Sequence, residues 1–160
     1  MSSVTIRSDL RGPQQGVHWK NVFTILATIL ALAGVGVALY LSVVHYAHQP
    51  IACNGIGDCE YVNSSEYAKV AGIPVAVLGA LAYGVIAALT VLWRLRNDAM
   101  LLLSAWGLAF ASFGFSIYLT YIELEVLEAI CVYCVVSASI VTALFVTLSA
   151  LVWMERSEIS

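Results

Sequence analysis

The sequence predicts an all-α integral membrane protein: a four-helix bundle with a long extracytoplasmic first loop that contains a short surface helix. Three observations carry this expectation. Hydrophobic residues make up 61 % of the chain and charged residues 11 %, against about 25 % charge in a soluble domain. Such a chain cannot cover a water-facing surface with charge. There are also four apolar stretches of membrane-crossing length, since about 20 helical residues cross a ~30 Å hydrocarbon core. Finally, lysine and arginine gather on alternate connections. A net charge of −3, with no basic patch interleaved with aromatics, gives no sign of a nucleic-acid partner.

Residues 1–20 are polar, include Gly12, Pro13 and Gly16, and read as a flexible cytoplasmic tail. They are not a secretory signal: the apolar run that follows is too long. A four-span membrane domain is expected over residues 21–154, with spans at about 22–46, 74–93, 100–121 and 130–153. Trp19 and Lys20 mark the start of the first span, and His45, Tyr46 and His48 its end, as interfacial anchors do. The two histidines could alternatively serve thiol proton transfer, since Cys53 follows closely. In the connection from Ala47 to Ile73, Asn54-Gly55 and Gly57-Asp58 are turn signals. A short surface helix is expected over 64–69, capped by Asn63 or Ser64.

Arg94 and Arg96 close the second span, and the short link to the third makes the two antiparallel neighbours. An acidic turn over 124–130 leads into the fourth span, and residues 155–160 form a second cytoplasmic tail. Glycines inside the spans, Gly34 and Gly79 among them, suit close helix packing. Trp93 and Trp153 fit an aromatic belt at the cytoplasmic interface, and Trp106 fits the bundle interior. Arg7, Arg11, Lys20, Arg94, Arg96 and Arg156 fall on one side and only Lys69 on the other. This six-to-one split puts both termini in the cytoplasm and the long loop outside.

The four cysteines come in two close pairs, both on the outer side. Cys131-Val132-Tyr133-Cys134 is a C-x-x-C at the start of the fourth span. Positions three apart share a helix face, so the sulfurs can meet. A helix N-terminus favours the thiolate, the reactive form. The readings are a redox pair, a structural disulfide, or half of a metal site. A disulfide there would close a tiny loop and add little stability. A metal site would need Cys53 and Cys59, whose spacing is unlike a zinc knuckle, so no metal is expected. Cys53 and Cys59, separated by Asn-Gly-Ile-Gly-Asp, suit a structural disulfide or the mobile half of a thiol shuttle. Asp58 and Glu60 flank Cys59 and would raise its pKa as like charges, or are simply solvated.

Four spans, a first loop with two cysteines and Ser64-Ser65 beyond the second, and a C-x-x-C opening the last span resemble the vitamin K epoxide reductase family. The stretches Gly57-Asp58-Cys59-Glu60-Tyr61-Val62-Asn63-Ser64-Ser65 and Gly72-Ile73-Pro74-Val75-Ala76-Val77-Leu78-Gly79 look like its bacterial branch. The resemblance covers about residues 20–153. It implies a multi-pass protein of the bacterial inner membrane that oxidises a secreted thioredoxin-fold partner and reduces a quinone of the ubiquinone or menaquinone type. The partner would attack Cys53 of a Cys53–Cys59 disulfide. Cys59 would attack Cys131, leaving Cys134 as the thiolate beside the quinone. Ser65 matches the family's serine near the quinone, although a capping or solvated serine is the plainer reading.

Two departures qualify the resemblance. Vertebrate members hold the vitamin K head group with an asparagine and a tyrosine, and the aligned positions here are Val75 and Ala138. That favours plain quinone reduction over epoxide reduction. Some bacterial members carry a fused thioredoxin-like domain. This sequence ends at Ser160 without one, so the partner is expected to be a separate extracytoplasmic (DsbA-like) protein. The alternatives are a vitamin K epoxide or quinone reductase proper, and a non-enzymatic membrane scaffold stapled by two structural disulfides.

Overall fold

The computed structural model describes residues 12–47 and 58–159. Five α-helices stand in it: α1 (Gly12–Ala47), α2 (Cys59–Ser64), α3 (Val75–Arg96), α4 (Ala99–Tyr121) and α5 (Val132–Ile159). All but the short α2 are long and apolar enough to cross a membrane, so the chain is a multi-pass membrane protein. They run up and down in a ring, α1 against α3 and α5, and α4 against α3 and α5.

The interior is built from small residues beside branched ones. Ala27, Ala31, Ala105 and Ala109 are fully buried with Ile86, Leu144, Leu148 and Leu151. Small side chains let helix axes approach, which replaces the hydrophobic drive that lipid does not supply. The large apolar side chains on the outside, such as Leu32, Leu81 and Val146, face where lipid would lie. Hydroxyls inside the spans bond back to the preceding turn, as Thr24 does to the Lys20 carbonyl (2.6 Å) and Thr90 to Ile86 (2.7 Å). Such bonds satisfy hydroxyls that would otherwise lack a partner within the membrane.

The helices overrun the predicted spans. α1 begins at Gly12, inside the stretch expected to be a tail, because Pro13 sits in its first turn, where a missing N–H costs nothing. α5 continues to Ile159 through the second predicted tail. Lys20 of α1 and Glu155 of α5 meet at 2.9 Å and tie these two ends together. The surface helix also lies earlier than expected. α2 covers 59–64, and one 3-10 turn covers Glu66–Ala68. Ser65 is extended between them, its hydroxyl donating to the Val62 carbonyl at 2.7 Å. Trp93 is buried rather than placed in an interfacial belt, and its indole N–H has no hydrogen-bond partner.

Connections are tight. Strands β1 (Lys69–Val70) and β2 (Ile73–Pro74) pair antiparallel around Ala71-Gly72. Both turn residues have positive φ, 52° and 82°, as a type I′ hairpin requires. Between α3 and α4, Asn97 takes the left-handed conformation and Asp98 caps α4 by accepting from the Met100 N–H at 3.0 Å. At the far end of α4 the chain winds one π turn, Ile122–Val126, where an acidic turn from residue 124 was expected.

Candidate active site

Both described cysteine groups lie at the end of the bundle where α3 and α5 begin. Asp58, in the N-cap position of α2, donates its backbone N–H to the Ile130 carbonyl at 3.1 Å. This bond joins the residue before Cys59 to the residue before Cys131. Cys59 and Cys131 are each 1 % exposed and share a small cluster with Val62 and Ala129. Cys59 is disulfide-bonded, whereas Cys131 and Cys134 are free thiols. Cys53 and His48 lie outside the described residues.

Cys131 occupies the cap of α5. Its carbonyl accepts the first helical bond, from the Val135 N–H at 3.1 Å. A thiolate there meets the free N–H groups of the first turn, as a serine or aspartate cap does. The Cys134 thiol hydrogen-bonds to it and holds its pKa below the ordinary thiol value. The backbone N–H groups of Cys134 and Tyr133 act the same way, against burial and the Glu123 carboxyl. Cys131 is thus a favoured thiolate.

Cys134 is half-buried and faces a cavity of about 360 Å³ between all four long helices. Its walls are apolar, from Leu41, Val75, Leu78 and Phe115 among others. Polar side chains are in the minority: Glu123 and Cys134 at the cysteine end, Thr120 and Ser116 along α4, and Tyr83, Ser112 and Ser137 deeper. The Tyr83 hydroxyl donates to the Ser137 carbonyl at 2.9 Å and lies 3.1 Å from its Oγ. An apolar cleft with a few convergent polar groups is the usual form of a small-molecule site.

A second, smaller pocket, about 60 Å³, adjoins the first. Ser65 lines it with Asn63 and Tyr67, and Val75, Leu119, Glu123 and Cys134 are common to both. Ser65 is therefore near Cys134, with its hydroxyl turned to the Val62 carbonyl. Ser64 is exposed. His45 lies 3.5 Å from the Asn63 amide, which links α1 to the end of α2. Among the described residues, no three His, Cys, Asp or Glu side chains are grouped to hold a metal.

Glu123, Tyr83 and Ser137 were not expected in the site. Tyr83 and Ser137 resemble any polar residue in a span. Glu123 did carry a signal: an ionisable residue at the end of an apolar run marks a functional position by default. The sequence model of the vitamin K epoxide reductase family matches residues 25–149, a stretch containing the four cysteines, Ser65 and Glu123. The family is one of membrane oxidoreductases that work on thiols, disulfides and quinones. With that match over most of its length and a C-x-x-C at the mouth of a four-helix cavity, the chain belongs to the vitamin K epoxide reductase family.

Proposed function

We propose that the protein is a membrane thiol–quinone oxidoreductase that oxidises a separate, thioredoxin-fold extracytoplasmic protein and so supports disulfide formation. One observation carries the reading. The free C-x-x-C pair has one sulfur, Cys131, packed beside disulfide-bonded Cys59, and the other, Cys134, in the wall of the apolar cavity. That arrangement joins a thiol-exchange side to a lipid-soluble acceptor side.

The donor's thiolate attacks Cys53 of a Cys53–Cys59 disulfide and releases Cys59. The donor's second thiol displaces Cys53 and closes the donor's own disulfide. Cys59 attacks Cys131 of the Cys131–Cys134 disulfide and releases Cys134 as a thiolate in the cavity wall. Cys53 then displaces Cys131, which restores the loop disulfide and leaves a dithiol at 131 and 134.

The cavity fits a quinone. Its apolar lining suits a ring with a prenyl tail, and polar side chains at more than one level of the bundle can meet two ring oxygens. A bound quinone of the ubiquinone or menaquinone type supplies the acceptor for two electrons and two protons. Val75 in the cavity wall offers no hydrogen bond, which favours a plain quinone over an epoxide. Six of seven basic residues lie on the side of the termini, which supports cytoplasmic termini and outward-facing cysteines; a bacterial inner membrane is the setting that the likeness to the family's bacterial branch suggests.

The test is quinone reduction by the purified protein with a dithiol donor, with epoxide and quinone offered side by side. Cys131→Ala and Cys134→Ala should remain folded and lose the reaction. A scaffold stapled by disulfides would lose stability instead. Absence of reduction with every quinone tried would sink the proposal.

A further inference from the structure

One buried group at the site has no part in the thiol exchange just described. Glu123 is 6 % exposed, while its neighbours in the same acidic stretch, Glu125 and Glu128, face outward. Its Oε2 accepts the backbone N–H of Cys131 at 3.4 Å, and its carboxyl hydrogen-bonds the Cys134 thiol. It also lines both the large cavity and the smaller pocket. A carboxyl in so apolar a place is costly and persists only where its partners hold it. Glu123 therefore touches one sulfur, caps the backbone of the other, and borders the space where the acceptor would bind.

We propose that Glu123 is a catalytic acid–base that carries the protons of the Cys131–Cys134 dithiol to the quinone oxygens. This rests on the function proposed above. When the dithiol closes to a disulfide, two S–H bonds break, one S–S bond forms, and two electrons and two protons leave. A bound quinone would take up both electrons and both protons, forming two O–H bonds. Glu123 as carboxylate takes the Cys134 proton through their hydrogen bond. As carboxylic acid it gives that proton to one quinone oxygen. Returned to carboxylate, it carries the second dithiol proton, which Cys131 gives up through its hydrogen bond with Cys134, to the other oxygen. Without such a carrier, protons would have to enter from water through an apolar wall.

The titratable groups around Glu123 are few. Cys131 and Cys134 face it from the start of α5, and Tyr67 stands across the smaller pocket. Tyr83 of α3 lies deeper in the large cavity, and α1 contributes only the apolar Val37, Ala38 and Leu41.

Glu123→Gln, which keeps shape and a backbone acceptor, tests the proposal in the full chain. Quinone reduction should fall by about 10²-fold or more, the usual scale for losing a general acid–base. Its dependence on pH should flatten. Thiol alkylation without quinone gives an independent reading: loss of the Glu123 charge should move the Cys131 midpoint to lower pH. Glu123→Asp should recover part of the rate and the pH dependence, and Glu125→Gln should match wild type. Should Glu123→Gln not fold, Glu123→Asp carries the test through a several-fold slower reduction. If wild type reduces quinone and the folded variants do so at the same rate with the same pH profile, the role of Glu123 is overturned while the proposed function stands. If wild type reduces no quinone, the proposed function fails first.

Discussion

Gly34→Ala should damage the bundle, and Gly36→Ala, two residues further along α1, should not. A Cβ built on Gly34 falls 2.6 Å from two ring carbons of Tyr83, whereas one on Gly36 meets nothing within 4 Å. Ordinary contact begins near 3.4 Å, so α1 and α3 must part by about 1 Å or Tyr83 must turn aside. Tyr83 has little freedom to turn. It is 5 % exposed and anchored to Ser137 through its hydroxyl. Overpacking costs ~1–3 kcal/mol, and losing the Ser137 bond adds ~1 kcal/mol. The better helix propensity of alanine returns at most ~1 kcal/mol. Gly34→Ala should therefore be about 2 kcal/mol less stable than Gly36→Ala, measured by reversible unfolding in mixed micelles. Combining it with Tyr83→Ala, which removes the ring, should give a cost well below the sum of the two singles. Equal stability of the two glycine variants would refute the close packing of α1 on Tyr83.

Other outcomes follow from the same contacts. Tyr83→Phe keeps the ring but loses its bond to Ser137, and should cost ~1 kcal/mol in the same unfolding assay with no change in cavity size. Cys131 alkylation should reach half its maximal rate below the ordinary thiol value of about 8.5, because its pKa is lowered chiefly by Cys134. Cys134→Ala should shift that midpoint upward. The sign for folding is the same: stability from this ionisation is present above the ordinary thiol value and is lost as pH falls through the lowered one. Glu155→Gln breaks the part-exposed ion pair with Lys20, and should cost no more than ~1 kcal/mol and matter less as salt rises.

The spans were legible because lipid imposes a crude demand, length and apolarity, that composition alone displays. Their ends were not. Pro13 looked like a breaker and serves as a helix start, and the Lys20–Glu155 contact that secures the end of α5 links residues at opposite ends of the sequence. The C-x-x-C was legible because its spacing is local. The partnership of Cys59 with Cys131 was implied only by resemblance, since it depends on one backbone bond between Asp58 and Ile130. Ser65 lines a pocket with Cys134, but its hydroxyl bonds its own turn, which spacing alone does not foretell. Trp93 was misplaced because an aromatic at a span end can face the interface or the bundle, and only neighbouring helices decide which.

The π turn explains why Glu123 was missed and why it can act. A regular α-helix through residue 126 would keep its inward face in one register, and an isolated glutamate there reads as part of a polar exit. The structure instead bonds the Leu127 N–H to the Ile122 carbonyl at 3.0 Å, widening the turn by one residue. Two consecutive side chains, Ile122 and Glu123, then point inward while Leu124, Glu125 and Val126 stay outside. The chain recovers its course through Glu128 at a φ of 46°, a conformation that non-glycine residues seldom adopt. The Ala129 N–H then returns to the Glu123 carbonyl at 3.1 Å. A widened turn and a left-handed residue both carry local strain, and such strain persists where the surrounding structure makes use of it. Here it brings a carboxyl and the Cys131 backbone together at the start of α5. The sequence separation between Glu123 and Cys131 is thus spent on geometry rather than on a loop, which is why a short acidic stretch ends in the wall of a cavity.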